Sequence, residues 1–137
     1  MSRVERVLCD DERFASLIPG FAPRAPQLAM ATAVEAALAS ASALVVEAET
    51  GTGKTLAYLV PALLADGPTI ISTGTKSLQE QLFFRDLPVV LKALGIHRRV
   101  ALLKGRANYL CPYRMKLLIE EARFQTRETA LQMQVVA

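Results

Sequence analysis

Cysteine is scarce in this sequence of 137 residues: there are two, Cys9 and Cys111. They form no CxxC pair, so neither a zinc site nor a disulfide framework is read from them, and two free thiols are the expectation. Histidine is scarcer. The single His97 lies in the polar connection Gly95-Ile96-His97-Arg98-Arg99, where a solvated surface residue is expected rather than a catalytic one. Long apolar runs are missing too. Apolar runs such as 43–46 and 117–119 fall far short of the roughly 20 residues that cross a bilayer, so no membrane partner is expected. The N-terminus, Met1-Ser2-Arg3-Val4-Glu5-Arg6, lacks a basic segment followed by an apolar stretch and a small-residue cleavage site. A cytoplasmic protein is the expectation. The chain has no internal repeat and no low-complexity tract.

What is present suffices for a core. Hydrophobic residues make up 52% and mean hydropathy is +0.28, at the length of one ordinary domain. A net charge of +3 and a pI near 9.1 suit nucleic acid, and equally suit proteins that never meet it. Residues 1–18 read as a short helix that ends before the turn signal Pro19-Gly20, and 19–26, with three prolines, as a loop. From Pro26, Ala31, Val34 and Leu38 recur at helical spacing, which predicts a helix to about Ala41. Ala43-Leu44-Val45-Val46 is short, continuously apolar and partly β-branched, as a strand buried on both faces of a parallel sheet should be.

After a glycine-rich turn, Leu56, Leu59, Val60, Leu63 and Leu64 mark a striped helix that Pro61 is expected to kink or end early. Asp66-Gly67-Pro68 breaks the chain. Residues 69–73 read as a second strand, 76–94 as one or two helices interrupted near Pro88, 100–103 as a third strand and 106–124 as a last helix. Strand alternating with helix predicts an α/β fold with right-handed crossovers and a doubly wound parallel sheet.

The most informative residues are Ala48-Glu49-Thr50-Gly51-Thr52-Gly53-Lys54-Thr55. They match G-x-x-x-x-G-K-[ST] except that Ala48 replaces the first glycine. The residue types follow from the task. Glycines let the backbone curl until successive N–H groups face phosphate oxygens, and the following helix adds the positive end of its dipole. Lys54 is placed to reach the β- and γ-phosphates of ATP, and Thr55 to give its hydroxyl to Mg²⁺. Glu49 falls at an unconstrained position and must point away from the phosphates. A chance glycine-rich turn is the alternative, and the position between a strand-like run and a striped helix argues against it.

Four segments in order, Pro23-Arg24-Ala25-Pro26-Gln27-Leu28-Ala29-Met30, then 46–58, then Ser72-Thr73-Gly74-Thr75-Lys76-Ser77-Leu78-Gln79-Glu80-Gln81-Leu82, then Lys104-Gly105-Arg106-Ala107-Asn108-Tyr109-Leu110-Cys111, resemble superfamily 2 helicases of the XPD-like iron-sulfur group, in particular its bacterial DinG and YoaA branch. That branch usually shows glycine where this chain has Glu49. The resemblance implies a RecA-like P-loop NTPase domain and an ATP-dependent, 5′-to-3′ single-strand-tracking DNA helicase in repair, with single-stranded and forked DNA as partner.

By the same resemblance, the first segment is similar to the motif whose glutamine pairs with the edge of adenine, here Gln27 with Arg24 nearby. A planar amide offers a donor and an acceptor together; on residues alone, a side chain on the first turn of a solvated helix is the lesser alternative. The third segment is similar to the motif that touches the single-stranded DNA backbone, with Thr73, Thr75, Lys76 and Gln79 fitting that task. Hydroxyls, an amide and an ammonium hold phosphates without reading bases. A helix N-cap at Thr73 or Thr75 with a solvated lysine is the plain alternative. Cys111 corresponds by its Asn-Tyr-Leu-Cys context to the first of four cysteines holding a 4Fe-4S cluster. On composition it is apolar filler, and no cysteine follows it in this sequence.

The resemblance also implies parts not found here, an acidic pair that holds Mg²⁺ and an arginine from a second motor domain. Val7-Leu8-Cys9-Asp10-Asp11-Glu12 mimics the acidic pair but precedes the phosphate loop, and Leu117-Leu118-Ile119-Glu120-Glu121 lies in a helix-like stretch. The expected organisation is an N-terminal helix and loop at 1–22, the first part of the ATP-binding domain at 23–104, and the start of an iron-sulfur insertion at 105–137: an incomplete motor that binds nucleotide weakly and unwinds nothing by itself. Another P-loop NTPase or a kinase, or a non-catalytic nucleic-acid-binding module, stays open beside it.

Overall fold

The computed structural model describes residues 1–121, with only the backbone of Asp11 and Glu121. The chain divides into two compact units, 1–100 and 101–137. In the first unit, the single helix expected over 1–18 is two: α1 (Arg3–Leu8) and α2 (Asp11–Ala15). Ser2 starts α1 with a reciprocal cap, its hydroxyl accepting from the Glu5 amide at 3.1 Å while the Glu5 carboxylate accepts from the Ser2 amide at 2.7 Å. α3 (Ala25–Ser40) carries Pro26 in its first turn and ends at Ala41 in a left-handed conformation, φ 50°.

α4 (Lys54–Leu64) begins directly after the glycine-rich turn and runs through Pro61, so of the expected kink or early end the early end is not found. The physical reason is position and burial. Proline forfeits one intrahelical donor, only three helical residues follow it, and its ring is buried in the core. Further on, α5 (Lys76–Gln81), a single turn of π-helix over Leu82–Asp86 and α6 (Leu87–Leu94) follow without a break, and Pro88 sits in the first turn of α6, where its missing donor costs least.

The core of this unit is helical. Val4, Leu8 and Phe14 from the N-terminal helices, Ala31 from α3, Ala57, Leu59 and Val60 from α4, and Val90 from α6 are fully buried. Phe14 stacks obliquely on Phe21, ring centroids 5.1 Å apart. The N-terminal segment is thus part of the packing, with α1 against α3 and α4 and α2 against α6.

No strand is formed among the described residues. The segments 43–46, 69–73 and 100–103 are extended or irregular but share no ladder, so the doubly wound sheet expected from them is not there as a hydrogen-bonded sheet. Their apolar character is intact and partly uncovered: Val45 is 96% exposed and Ile70 94%, while Ile71 packs against the core. A strand is a property of a pair of chains, and apolar β-branched residues left this open are a template awaiting partners.

In the second unit, a 3₁₀ turn at Arg106–Asn108 is followed by α7 (Pro112–Glu121). The Lys104 amide donates to the Tyr109 hydroxyl at 2.8 Å, folding the 104–109 loop on itself. The helix expected over 106–124 therefore starts later, at Pro112, and its last residues lie outside the described ones, as does the end of the segment 105–137.

Candidate nucleotide-binding loop

The glycine-rich turn sits on α4 because glycine supplies what other residues resist. Gly51 and Gly53 both have φ +82°, a left-handed backbone that costs a side-chain-bearing residue about 1–2 kcal/mol. Gly53 is the N-cap of α4 and has no side chain with which to cap it. Among the described residues, none of the backbone amides from Gly51 to Leu56 donates a hydrogen bond. A run of free N–H groups at the positive end of an 11-residue helix is a concavity for an anion.

Around that run the loop is braced through its carbonyls. The Lys54 ammonium donates to the carbonyls of Ala48 and Glu49, each at 2.7 Å, and the Thr52 hydroxyl donates to Glu49 at 2.9 Å. The Arg24 guanidinium donates to the Gly51 carbonyl. Gln27, at the start of α3, is 4% exposed and donates from Nε2 to the Gly53 carbonyl at 3.1 Å. Its Oε1 is buried without a partner. An orphaned buried acceptor is costly, about 1–3 kcal/mol, so this amide is held for a reason other than stability alone.

The sequence-predicted residues thus meet in part. Arg24, Gln27, Ala48, Glu49, Thr50, Gly51, Thr52, Gly53, Lys54 and Thr55 form one neighbourhood, with Arg24 and Gln27 turned onto the loop itself. Charge placement is favourable: Lys54 and Arg24 supply two cations, and the Glu49 side chain is exposed. Tyr58, which sequence reasoning passed over, belongs to the same neighbourhood. Burial pushes its phenol above the ordinary tyrosine range, a hydrogen bond with the Thr55 side chain pulls the other way, and the Asp86 carboxylate pushes it further up. Its signal in the sequence was the three-residue spacing from Thr55, which puts both on one face of α4.

The second predicted group begins α5. The Thr75 hydroxyl caps α5, accepting from the Leu78 amide at 3.2 Å, and the Thr73 hydroxyl donates to the Thr75 carbonyl at 3.2 Å. Lys76 is exposed and Gln79 half-buried. Capping is therefore in place, and it leaves Lys76 facing solvent in the first turn.

Cys9 and Cys111 are exposed free thiols. Cys111 lines a hollow of the second unit with Arg106, Tyr109, Arg114, Met115 and Leu118. No cluster of three or more metal-ligating side chains occurs among the described residues. A 4Fe-4S cluster takes four thiolates, and the sequence has two cysteines, so these 137 residues do not by themselves fit that cluster. His97 is exposed, as expected. No helix of the described residues is long and apolar enough to cross a membrane.

Residues 28–115 match the family described as DEAD/DEAH box helicase. The chain is 60% identical over 104 residues to the ATP-dependent DNA helicase YoaA of Haemophilus influenzae, a match that covers 76% of this chain and 16% of that protein. It is 59% identical over 106 residues to the YoaA of Escherichia coli, covering 77% and 17%. To the ATP-dependent helicase DinG of Mycobacterium tuberculosis it is 51% identical over 96 residues, covering 64% and 14%. The chain thus spans about one-sixth of the length of these relatives. No solved structure matches it.

Proposed function

This chain belongs to the DEAD/DEAH box helicase family, and from that premise we propose that it is the nucleotide-binding portion of an ATP-dependent DNA helicase of the DinG and YoaA kind. The observation that carries the reading is the row of free amides from Gly51 to Leu56 at the start of α4, flanked by the Lys54 ammonium. On this reading the terminal phosphates of ATP lie in that row. Lys54 turns from the Ala48 and Glu49 carbonyls toward the β- and γ-phosphates, and Thr55 gives its hydroxyl to Mg²⁺, which neutralises charge on the phosphates. Lys54 and Thr55 are the two residues here that touch the reacting groups.

Gln27 reads adenine, with Arg24 beside it, once its amide swings off the Gly53 carbonyl. Its unpartnered Oε1 supplies the acceptor such a contact requires. Thr73, Thr75, Lys76 and Gln79 hold the backbone of single-stranded or forked DNA without reading bases. The extended segments 43–46, 69–73 and 100–103 become strands of a RecA-like parallel sheet when further strands pair with them. Cys111 is the first of four thiolates of a 4Fe-4S cluster, which requires three further cysteines beyond the two present. Repair, 5′-to-3′ tracking and a cytoplasmic location belong to the same reading. The 137 residues bind nucleotide weakly and neither hydrolyse it efficiently nor unwind DNA, because the acidic pair and the second-domain arginine are not among them.

Titration calorimetry of the 137-residue chain with Mg-ATP tests this. Measurable binding by the unaltered chain and none by Lys54→Ala is expected; equal heats from both overturn the phosphate-loop assignment. Robust DNA-stimulated ATP turnover by the chain overturns the claim that it is an incomplete motor.

A further inference from the structure

The helix that starts at Lys76 changes its winding partway. α5 passes directly into the turn of π-helix over Leu82–Asp86 and then into α6. A π turn takes in more residues than an α turn, and such turns are frequent at functional sites. Leu82 and Leu87, five residues apart, are both buried in the core. In a continuous α-helix they would stand about 140° apart round the axis. The wider turn brings both onto the core side, and of the residues between them Phe84 and Arg85 are left on the outside.

Phe84 is 67% exposed, yet its ring is not loose. Phe83 packs against the core and meets Phe84 edge to face, ring centroids 5.1 Å apart at 84°, a favoured aromatic geometry. One exposed aromatic needs no explanation by itself; its surroundings distinguish this one. Lys76 is exposed eight residues earlier, within about 80° round the helix and about 12 Å along it. Arg85 adjoins the ring, its side chain exposed and its Nε donating to Asp86 Oδ1 at 2.9 Å. Lys92 is exposed eight residues further on. One turn to either side of Phe84 lie Glu80 and Pro88, both exposed, so the ring is a single platform and not part of a broad apolar patch. A lone ring with cations before and after it on one helix suits a base on the ring and phosphates on the cations.

We propose that Phe84 is a base-stacking platform for single-stranded nucleic acid, which continues the backbone contacts of Thr73, Thr75, Lys76 and Gln79 along the same helix, with Arg85 on the phosphate beside the stacked base. The proposal rests on the helicase reading above and adds to it a means of selection. Hydroxyls and a lysine on phosphates hold a paired strand as well as an unpaired one. Stacking on Phe84 needs a base with a free face, which an unpaired strand offers and a duplex interior does not. Every base has such a face, so the platform favours single strands without reading their sequence.

The chain has no tryptophan, so Phe84→Trp places a single indole at the site. A thymidine oligonucleotide is expected to quench its fluorescence, and an abasic oligonucleotide of the same length and charge to leave it. In anisotropy titrations at low salt, Phe84→Ala should bind the thymidine oligonucleotide about tenfold more weakly than the unaltered chain does, and the abasic one equally well. Equal affinity of the two chains for the thymidine oligonucleotide, or an unquenched indole, overturns the proposal. So does an equal loss on both oligonucleotides, which marks a merely structural role. Should Phe84→Ala not fold, the indole quench decides. Weaker binding in Lys76→Ala with none in Phe84→Ala removes the platform and leaves the helicase reading standing, whereas an unaltered chain that binds neither oligonucleotide overturns both. If sedimentation shows self-association that Phe84→Ala abolishes while oligonucleotide affinity is unchanged, the ring meets a second copy of the chain and the proposal falls.

Discussion

Gln27 occupies the space that a side chain at position 53 would need: a Cβ built on Gly53 falls 2.2 Å from Gln27 Nε2 and 2.9 Å from its Cδ. The glycine of the phosphate loop is therefore required twice, once by its φ of +82° and once by the amide that bonds its carbonyl.

Gly53→Ala is expected to destabilise the chain by about 2–3 kcal/mol, the left-handed backbone contributing about 1–2 of it and the displaced amide the rest. Urea unfolding measures this. In the double variant Gly53→Ala with Gln27→Ala, the clash is gone and only the backbone cost remains, so the two changes should be less than additive. Strict additivity would show that Gln27 does not brace the loop.

Lys54→Ala separates binding from folding. The ammonium donates only to the Ala48 and Glu49 carbonyls, and Glu49 is exposed, so water replaces the lost bonds. The melting temperature should move by no more than a few degrees, while the stabilisation that Mg-ATP confers on the unaltered chain disappears. Differential scanning fluorimetry with and without nucleotide reads both at once; a large loss of stability without nucleotide would mean that Lys54 is mainly structural.

The phosphate loop was legible because its requirements are local. Positive φ at Gly51 and Gly53, and a helix beginning at Lys54, follow from eight adjacent residues. The helix positions were legible for the same reason, Pro26 and Pro88 each falling in a first turn. Pro61 misled, because burial of its ring outweighs one forfeited hydrogen bond so near the helix end. The extended segments 43–46 and 69–73 have the composition of buried strands, but pairing is not written in one segment, and among the described residues no strand ladder forms. Contacts between distant residues, such as Arg24 on Gly51 or Gln27 on Gly53, leave no periodic trace.

Arg98 illustrates that last class and gives a stability prediction. It donates from Nε to the Leu63 carbonyl at 3.2 Å and from Nη2 to the Ala65 carbonyl at 2.9 Å, while Arg3 donates to the Leu64 carbonyl at 3.2 Å. Two cations thus satisfy the last carbonyls of α4 and complement the negative end of its dipole. Arg98 is exposed, so screening keeps its share small. Arg98→Ala should cost about 1 kcal/mol, and less in high salt; an unchanged urea midpoint at low salt would refute the contribution.

Tyr58 makes the stability of the chain pH-dependent in the alkaline range, and the sign follows from its surroundings. Burial first, and the Asp86 charge after it, disfavour the phenolate, with the Thr55 bond opposing them, so the folded chain holds the proton above the ordinary tyrosine value. Below about pH 10 both folded and unfolded phenols are protonated, and this group adds no slope. As pH rises through that value the unfolded phenol ionises first, the folded state binds more protons than the unfolded one, and stability falls until the folded phenol ionises too. Tyr58→Phe has nothing to ionise. Urea unfolding followed from about pH 9 to 11 should show the unaltered chain losing more stability than the variant, with the gap opening only above about pH 10. A gap of the opposite sign would mean that the folded chain favours the phenolate, and that the Thr55 hydroxyl outweighs burial at this position.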